Sequence, residues 1–253
     1  MNSIHSEHPQ TPLVIARNIH KSFRQGNSQI SALSGVDLTV DAGEFVAICG
    51  HSGSGKSTLL NVIGTLELPD QGELSLWDNL VQYQRTQQGS LTRSCTRQHE
   101  QLRQEGLGFV FQNFNLNPAL TALENVEIPL LLTSDSPQIR KQKAAALLTQ
   151  VGLEQRLHHK PGELSGGQQQ RVAAARALVT EPRLVLADEP TANLDSGSTE
   201  QLVQALRQLN RTMGTTLLFS THDERLLVHV DRKVVLHDGK LAPSPQESRH
   251  ATA

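Results

Sequence analysis

The sequence has no run of apolar residues approaching the roughly 18 needed to cross a membrane. The longest candidate, Ile128-Pro129-Leu130-Leu131-Leu132, is short and broken by its proline. If the protein works at a membrane, another chain supplies the span. The polar, histidine-bearing start, Met1 to Pro12, has neither the charged beginning nor the apolar stretch of a signal peptide. Positive charge is not in excess. The formal net charge is -2 and no basic tract dominates, so the footprint of a nucleic-acid partner is missing and none is expected. Cysteine is scarce. Cys49 and Cys95 have no CxxC spacing and no matching histidine cluster, which fits a reducing compartment better than a disulfide scaffold. Cys49 ends an apolar run and is expected to be buried, whereas Cys95 lies in a polar stretch.

The 253 residues suffice for a sizeable core, as one domain or two intimate subdomains. Leu13 to Phe23 and Ser31 to Val40 read as strands, with a turn at Asp41 to Glu44. Phe45 to Cys49 is a continuous apolar run, as expected of a strand buried on both faces. A short helix through Leu59, Leu60 and Ile63 follows, then a strand at Leu74 to Trp77. Asp78 to Glu105 is rich in Gln, Arg, Ser and Thr. It reads as a surface excursion ending in a polar helix, either a plain solvated insertion or a contact surface. After a strand at Leu107 to Phe111, the pattern from Gln112 to about Gly162 is helical. Ser136-Pro137 starts one helix, Ile139, the Lys143 stem, Leu147 and Val151 share its face, and Gly152 ends it. The α/β rhythm then resumes. A helix runs through Val172, Ala175 and Leu178, a strand covers Leu184 to Ala187, and a helix after Asp195 carries Leu202, Leu206 and Leu209. A strand at Thr216 to Phe219 precedes a hairpin turning at Asp238-Gly239.

Three motifs carry chemistry. Gly50-His51-Ser52-Gly53-Ser54-Gly55-Lys56-Ser57 fits GxxxxGK[ST], directly after an apolar strand and before a helix. Gly53 and Gly55 let the loop curl so that its N–H groups face phosphate oxygens, and the helix adds its positive end. Lys56 is expected to reach the β- and γ-phosphates, Ser57 to ligate Mg2+, and Thr58 to lie near the α-phosphate. Downstream, Asp188 and Glu189 end a buried strand, on the edge where ligands of α/β sheets sit. Asp188 suits a Mg2+ role, direct or through water, and Glu189 suits orientation or deprotonation of an attacking water. The third motif is Leu164-Ser165-Gly166-Gly167-Gln168. Ser165 is a candidate N-cap, and the two glycines expose backbone N–H groups at a helix start, making a second anion site.

Taken in order, these three motifs resemble an ABC-type ATPase domain, and the match runs from about Leu13 to Leu241. The fold implied is α/β: a P-loop NTPase core with an inserted helical subdomain at about 112–162 and an antiparallel β subdomain. Residues 1–12 and 242–253 are expected to be disordered tails. The resemblance implies ATP and Mg2+ as ligands and a head-to-tail homodimer. In such a dimer Ser165, Gly166, Gly167 and Gln168 of one copy cover the γ-phosphate held by the other. It implies that Phe23 stacks on adenine, where tyrosine is frequent, and that Gln112 contacts Mg2+ or water. It also implies that Asp195 lies in a loop crossing the dimer interface, and that His222 contacts the γ-phosphate. Catalysis is thus assigned to Glu189, His222 and Gln112, and metal binding to Ser57, Gln112 and Asp188.

Phe111 to Val126 and Ala187 to Asp195 are similar to a bacterial subgroup of the family. It holds the ATPases of lipoprotein-releasing and macrolide-exporting systems, with cell-division members in the same broad group. Departures from its pattern are Ala192 for the usual glycine, Asn117 for the usual leucine, and the longer polar segment before Leu107. The subgroup implies an integral membrane permease as a separate subunit. It implies a cytoplasmic location, peripheral on the inner face of the cell membrane through that permease. Phe114 and Leu116, expected to be exposed, are the candidates for the contact. The alternatives are a non-transport mechanical or signalling complex and a soluble nucleic-acid-associated ATPase.

Overall fold

The computed structural model describes residues 12–26, 28–83 and 91–242. The expected tails fall outside them, except that Pro12 opens the first strand and Ala242 follows the last.

Two sheets form the framework. In the first, β1 (Pro12–Gln25), β2 (Ser28–Asp41), β4 (Gln71–Leu76) and β5 (Asn79–Leu80) run antiparallel in the order β2-β1-β4-β5. The second holds β3 (Phe45–Cys49), β6 (Leu107–Val110), β7 (Leu184–Ala187), β8 (Thr216–Thr221), β9 (Arg232–His237) and β10 (Lys240–Leu241). Its order is β10-β9-β3-β8-β7-β6, parallel except for β10 at one edge.

The central strands β3, β8 and β7 are largely apolar because both of their faces are covered. Alternate residues of β3 go to different cores. Phe45 and Ala47 join α3 (Ala122–Glu127), α4 (Pro137–Gln150), α5 (Gly166–Leu178) and α6 (Ser196–Met213) in one. Val46 and Ile48 join α1 (Lys56–Ile63) and the antiparallel sheet in the other. Phe45 meets Phe219 of β8 with ring centroids 5.2 Å apart.

Several local expectations change. Gln112 to Thr121 is irregular rather than helical, and Phe114 and Asn115 take positive φ of 58° and 51°. The side chain of Asn125, fully buried, ties this loop down by donating to the carbonyls of Asn117, Leu120 and Thr121. Phe114 and Leu116 are half-buried, not exposed, and Leu116 packs on the larger core. The apolar side chains left exposed nearby are Ile128, Leu131 and Leu132 of a short 3-10 helix, Ile128–Leu132. In α4 the buried face is Ala144, Leu147 and Leu148, continued by the C-cap Val151; Ile139, in the first turn, is exposed. The polar stretch before Leu107 forms α2 (Arg93–Gly106), which buries Cys95, His99 and Leu102. Its sparse apolar residues recur at helical spacing and still make one dry face. Cys49 is half-buried because β3 emerges from the sheet there.

Asn210 ties three segments together near the C-terminal end of α6. Its amide donates to the carbonyls of Gly43 (2.9 Å) and Thr215 (2.7 Å) and accepts from Arg207 (3.1 Å). Asn210→Ala leaves the carbonyls of buried Thr215 and half-buried Gly43 without this donor. It should cost about 2 kcal/mol in urea unfolding, with an unchanged m-value.

Candidate functional site

The site lies at the C-terminal edge of the parallel sheet, where β3, β8 and β7 stand side by side. The chain leaving β3 turns through Gly50 to Gly55 and enters α1. Gly55 sits at φ +104°, and a Cβ there would strike the carbonyl oxygen of Ala32, so only glycine fits. It caps α1 with no side-chain hydrogen bond, which leaves the first-turn N–H groups of the helix facing the loop.

Lys56 is buried. Its Nζ donates to the carbonyls of Gly50 (2.9 Å) and His51 (3.2 Å) and lies 3.4 Å from Glu189 Oε1. Ser57 Oγ donates to Asp188 Oδ1 at 2.9 Å. The same oxygen accepts from Ser220 Oγ at 2.7 Å, and Ser220 Oγ accepts the backbone N–H of Glu189 at 2.8 Å. Glu189 has a positive φ of 44°. Its other carboxylate oxygen lies 2.8 Å from His222 Nδ1. A carboxylate accepts, so Nδ1 carries the hydrogen.

The structure therefore brings Lys56, Ser57, Asp188, Glu189 and His222 into one connected group. The remaining loop residues, Gly50, His51, Ser52, Gly53, Ser54 and Gly55, form the turn from β3 into α1, and Thr58 lies in the first turn of that helix. Gln112 is exposed beyond the end of β6, its carbonyl accepting from Asn193 Nδ2 at 3.2 Å. Phe23 is 41% exposed near the end of β1, with Lys21 Nζ 5.2 Å from its ring centre.

The Ser165–Gln168 run stands apart. Among the described residues, no hydrogen bond or ion pair joins it to the phosphate loop. Ser165 caps α5: its Oγ accepts the Gln168 N–H at 3.3 Å, and the Gln168 side chain accepts the Ser165 N–H at 2.9 Å. The two glycines have different surroundings. A Cβ on Gly167 would lie 2.5 Å from Ser198 Oγ, so α6 packs directly on it, whereas Gly166 has room, its nearest neighbour being Asn193 O at 3.7 Å. Close packing of α6 is thus a second reason for glycine at 167, beside its place in the first turn of α5. Asp195 caps α6, accepting from the N–H (2.9 Å) and Oγ (2.7 Å) of Ser198. The Ser198 hydroxyl first, then its N–H, holds the Asp195 carboxyl below the usual carboxylate range.

Three organising residues escaped the sequence reading. Ser220 follows the apolar run Leu217 to Phe219 in β8, and its place just before the strand end was the available signal. Gln170 is buried on α5 and donates to the carbonyl of Phe111 at 3.4 Å. Arg176 holds the loop after Gln112 by donating to the carbonyls of Asn115 (2.5 Å) and Phe114 (2.8 Å), and burial pushes its pKa down.

A glycine loop between a parallel strand and a helix, with its lysine facing an acidic strand end, defines a P-loop nucleoside triphosphatase. Residues 33–192 match the family model described as ABC transporter. The lipoprotein-releasing system ATP-binding protein LolD of Legionella pneumophila (strain Paris) is 44% identical over 229 residues, 90% of this chain and 96% of that protein. The macrolide export ATP-binding/permease protein MacB of Hyphomonas neptunium is 43% identical over 230 residues, 91% of this chain but 34% of that longer protein. The dimeric post-hydrolysis structure of the ATP-binding cassette MJ0796, bound to ADP and Pi, superposes with a TM-score of 0.79 at 41% identity, covering 91% and 97% of the two chains. The chain belongs to the ABC transporter family, as an ATP-binding and ATP-hydrolysing subunit.

The two glycines separate experimentally. Gly167→Ala should cost about 1–3 kcal/mol through the clash with α6, and Ser198→Gly should restore most of it. Gly166→Ala should change stability by less than about 0.5 kcal/mol. Thermal unfolding of the three variants checks this.

Proposed function

We propose that two copies of this chain close head to tail on ATP and thereby drive an integral membrane permease. The observation that carries this reading is the division within one chain. Lys56, Ser57, Asp188, Glu189 and His222 converge, while the Ser165–Gln168 run caps itself and, among the described residues, makes no hydrogen bond or ion pair to them. A second copy is what completes the site.

In this reading the loop amides of Gly50 to Gly55 and the first-turn amides of α1 bind phosphate oxygens, and Thr58 lies toward the α-phosphate. Lys56 leaves the loop carbonyls to meet the β- and γ-phosphates. Glu189 accepts a proton from the attacking water or aligns it, and His222, with Nδ1–H held by Glu189, turns Nε2 toward the γ-phosphate. Phe23 offers an exposed aromatic face to adenine. Asp195, fixed as an N-cap, crosses the interface with the run from the other copy. Ser57, Asp188 and Gln112 would hold Mg2+, since a hydroxyl, a carboxylate and an amide oxygen are donors of the hard type it takes. When bound, the ion supplies charge neutralisation at the phosphates.

The cassette is read as residues 13–241, with a helical unit at about 112–162. The relatives named for lipoprotein release and macrolide export support an exporter-like or lipoprotein-releasing role, and a place on the inner face of the cell membrane. Exposed Leu131 and Leu132, in place of the half-buried Phe114 and Leu116, are the proposed contact with the permease.

Glu189→Gln should keep ATP binding, lower turnover by about 100-fold or more, and accumulate as a dimer in gel filtration with ATP. Full turnover in that variant would remove Glu189 from its role. Leu131→Glu combined with Leu132→Glu should leave ATP binding intact and abolish co-purification of an integral membrane protein. Unchanged co-purification would place the contact elsewhere.

A further inference from the structure

At the outer rim of the phosphate loop, His51, His237 and Asp238 bring their ligand atoms within 4.8 Å of one another. His51 Nε2 lies 3.2 Å from Asp238 Oδ1, and His237 Nδ1 lies 3.2 Å from Asp238 Oδ2. The two imidazole rings meet edge to face, with centroids 5.1 Å apart. One side chain comes from the second position of the loop. The other two come from the end of β9 and the turn that follows it.

Backbone contacts hold these two carriers together. Gly239 N–H donates to the Ser54 carbonyl at 3.0 Å, and Ser34 N–H donates to the Gly239 carbonyl at 2.8 Å. Gly50 lies flush against β9, where a Cβ would strike the Leu236 carbonyl oxygen. The spacing of the three side chains is therefore set by backbone that is already fixed.

The tautomer of His51 favours a cation. Its Nδ1 lies 2.8 Å from the Ser52 carbonyl oxygen. A carbonyl only accepts, so Nδ1 carries the hydrogen, and in the neutral ring Nε2 presents a lone pair to a carboxylate oxygen. Two acceptors at that distance need a proton or a metal ion between them. Metal-binding histidines characteristically donate their other ring N–H to a carbonyl or carboxylate. Two imidazole nitrogens and one carboxylate suit borderline transition metals, whereas Mg2+ and Ca2+ take oxygens. Tetrahedral zinc, with bonds of about 2.0–2.1 Å, sets its ligand atoms about 3.3 Å apart. Each imidazole stands near that distance from one carboxylate oxygen, His51 Nε2 from Oδ1 and His237 Nδ1 from Oδ2. All three side chains are exposed, so a turn of the carboxylate and the rings can bring one oxygen and both nitrogens around a single ion.

We propose that His51, His237 and Asp238 form a binding site for a divalent transition metal ion of the zinc class. The ion pins the rim of the phosphate loop to the β9–β10 turn and keeps a fourth position for solvent. This site is separate from the oxygen donors Ser57 and Asp188, and metal binding here does not rest on the ATPase reading.

The test uses the full chain without nucleotide, titrated with Zn2+ by calorimetry and with Co2+ by visible absorption. The wild type should show tetrahedral Co2+ absorption and a melting temperature that rises with micromolar Zn2+. His237→Gln and Asp238→Asn, both outside the ATP site, should each weaken Zn2+ affinity at least about tenfold. The double variant should lose the Co2+ signal and the thermal shift. Absence of Zn2+ binding in the wild type, or binding unchanged in the double variant, would overturn the proposal. ATP turnover of the same proteins without zinc reads the ATPase separately, so an active protein that binds no zinc sinks this site alone.

Discussion

The Ser220 hydroxyl, fully buried near the end of β8, serves two acidic residues at once. It donates to the Asp188 carboxylate and accepts the N–H of Glu189. This matters because the backbone of Glu189 sits in the left-handed region, which a glutamate adopts only under constraint. The hydrogen bond fixes that peptide, and the peptide aims the carboxylate at Lys56 and His222 rather than out of the sheet. Strand order makes the arrangement reachable. With β8 between β3 and β7, the loop, the serine and the acids emerge on one edge. Half-burying two neighbouring carboxylates is costly unless they are hydrogen-bonded and paired, and here Ser57, Ser220, Lys56 and His222 do that.

The second glycine-rich helix start is held just as firmly, by other means. Ser165 and Gln168 satisfy each other, Gly167 lets α6 close on α5, and Ser198 links that contact to Asp195. The run therefore needs nothing from its own phosphate loop to be ordered. This self-sufficient helix start, not hydrogen-bonded to its own phosphate loop among the described residues, is the feature on which the proposed two-copy site rests. Gln170 and Arg176 of α5 hold the chain from Phe111 to Asn115, so the loop after Gln112 is tied to this helix.

The sequence by itself determined the strand–loop–helix at Gly50 to Ser57, the acidic strand end, the caps at Ser136, Ser165 and Asp195, and the Asp238-Gly239 turn. Each is a local signal: apolar period, a capping side chain, or a backbone position that favours glycine. Residues 112–121 were misread because apolar side chains in a loop pinned by Asn125 and Arg176 look like a helix pattern. The dry face of α2 was missed because three buried residues barely register in a polar stretch. Tertiary structure alone decided which features meet. It put Ser220 between two acids, packed a neighbouring helix on Gly167 while leaving room at Gly166, and set His51 beside His237 and Asp238. Those pairings depend on strand order and on close backbone approach across long separations in the chain, which residue spacing does not encode.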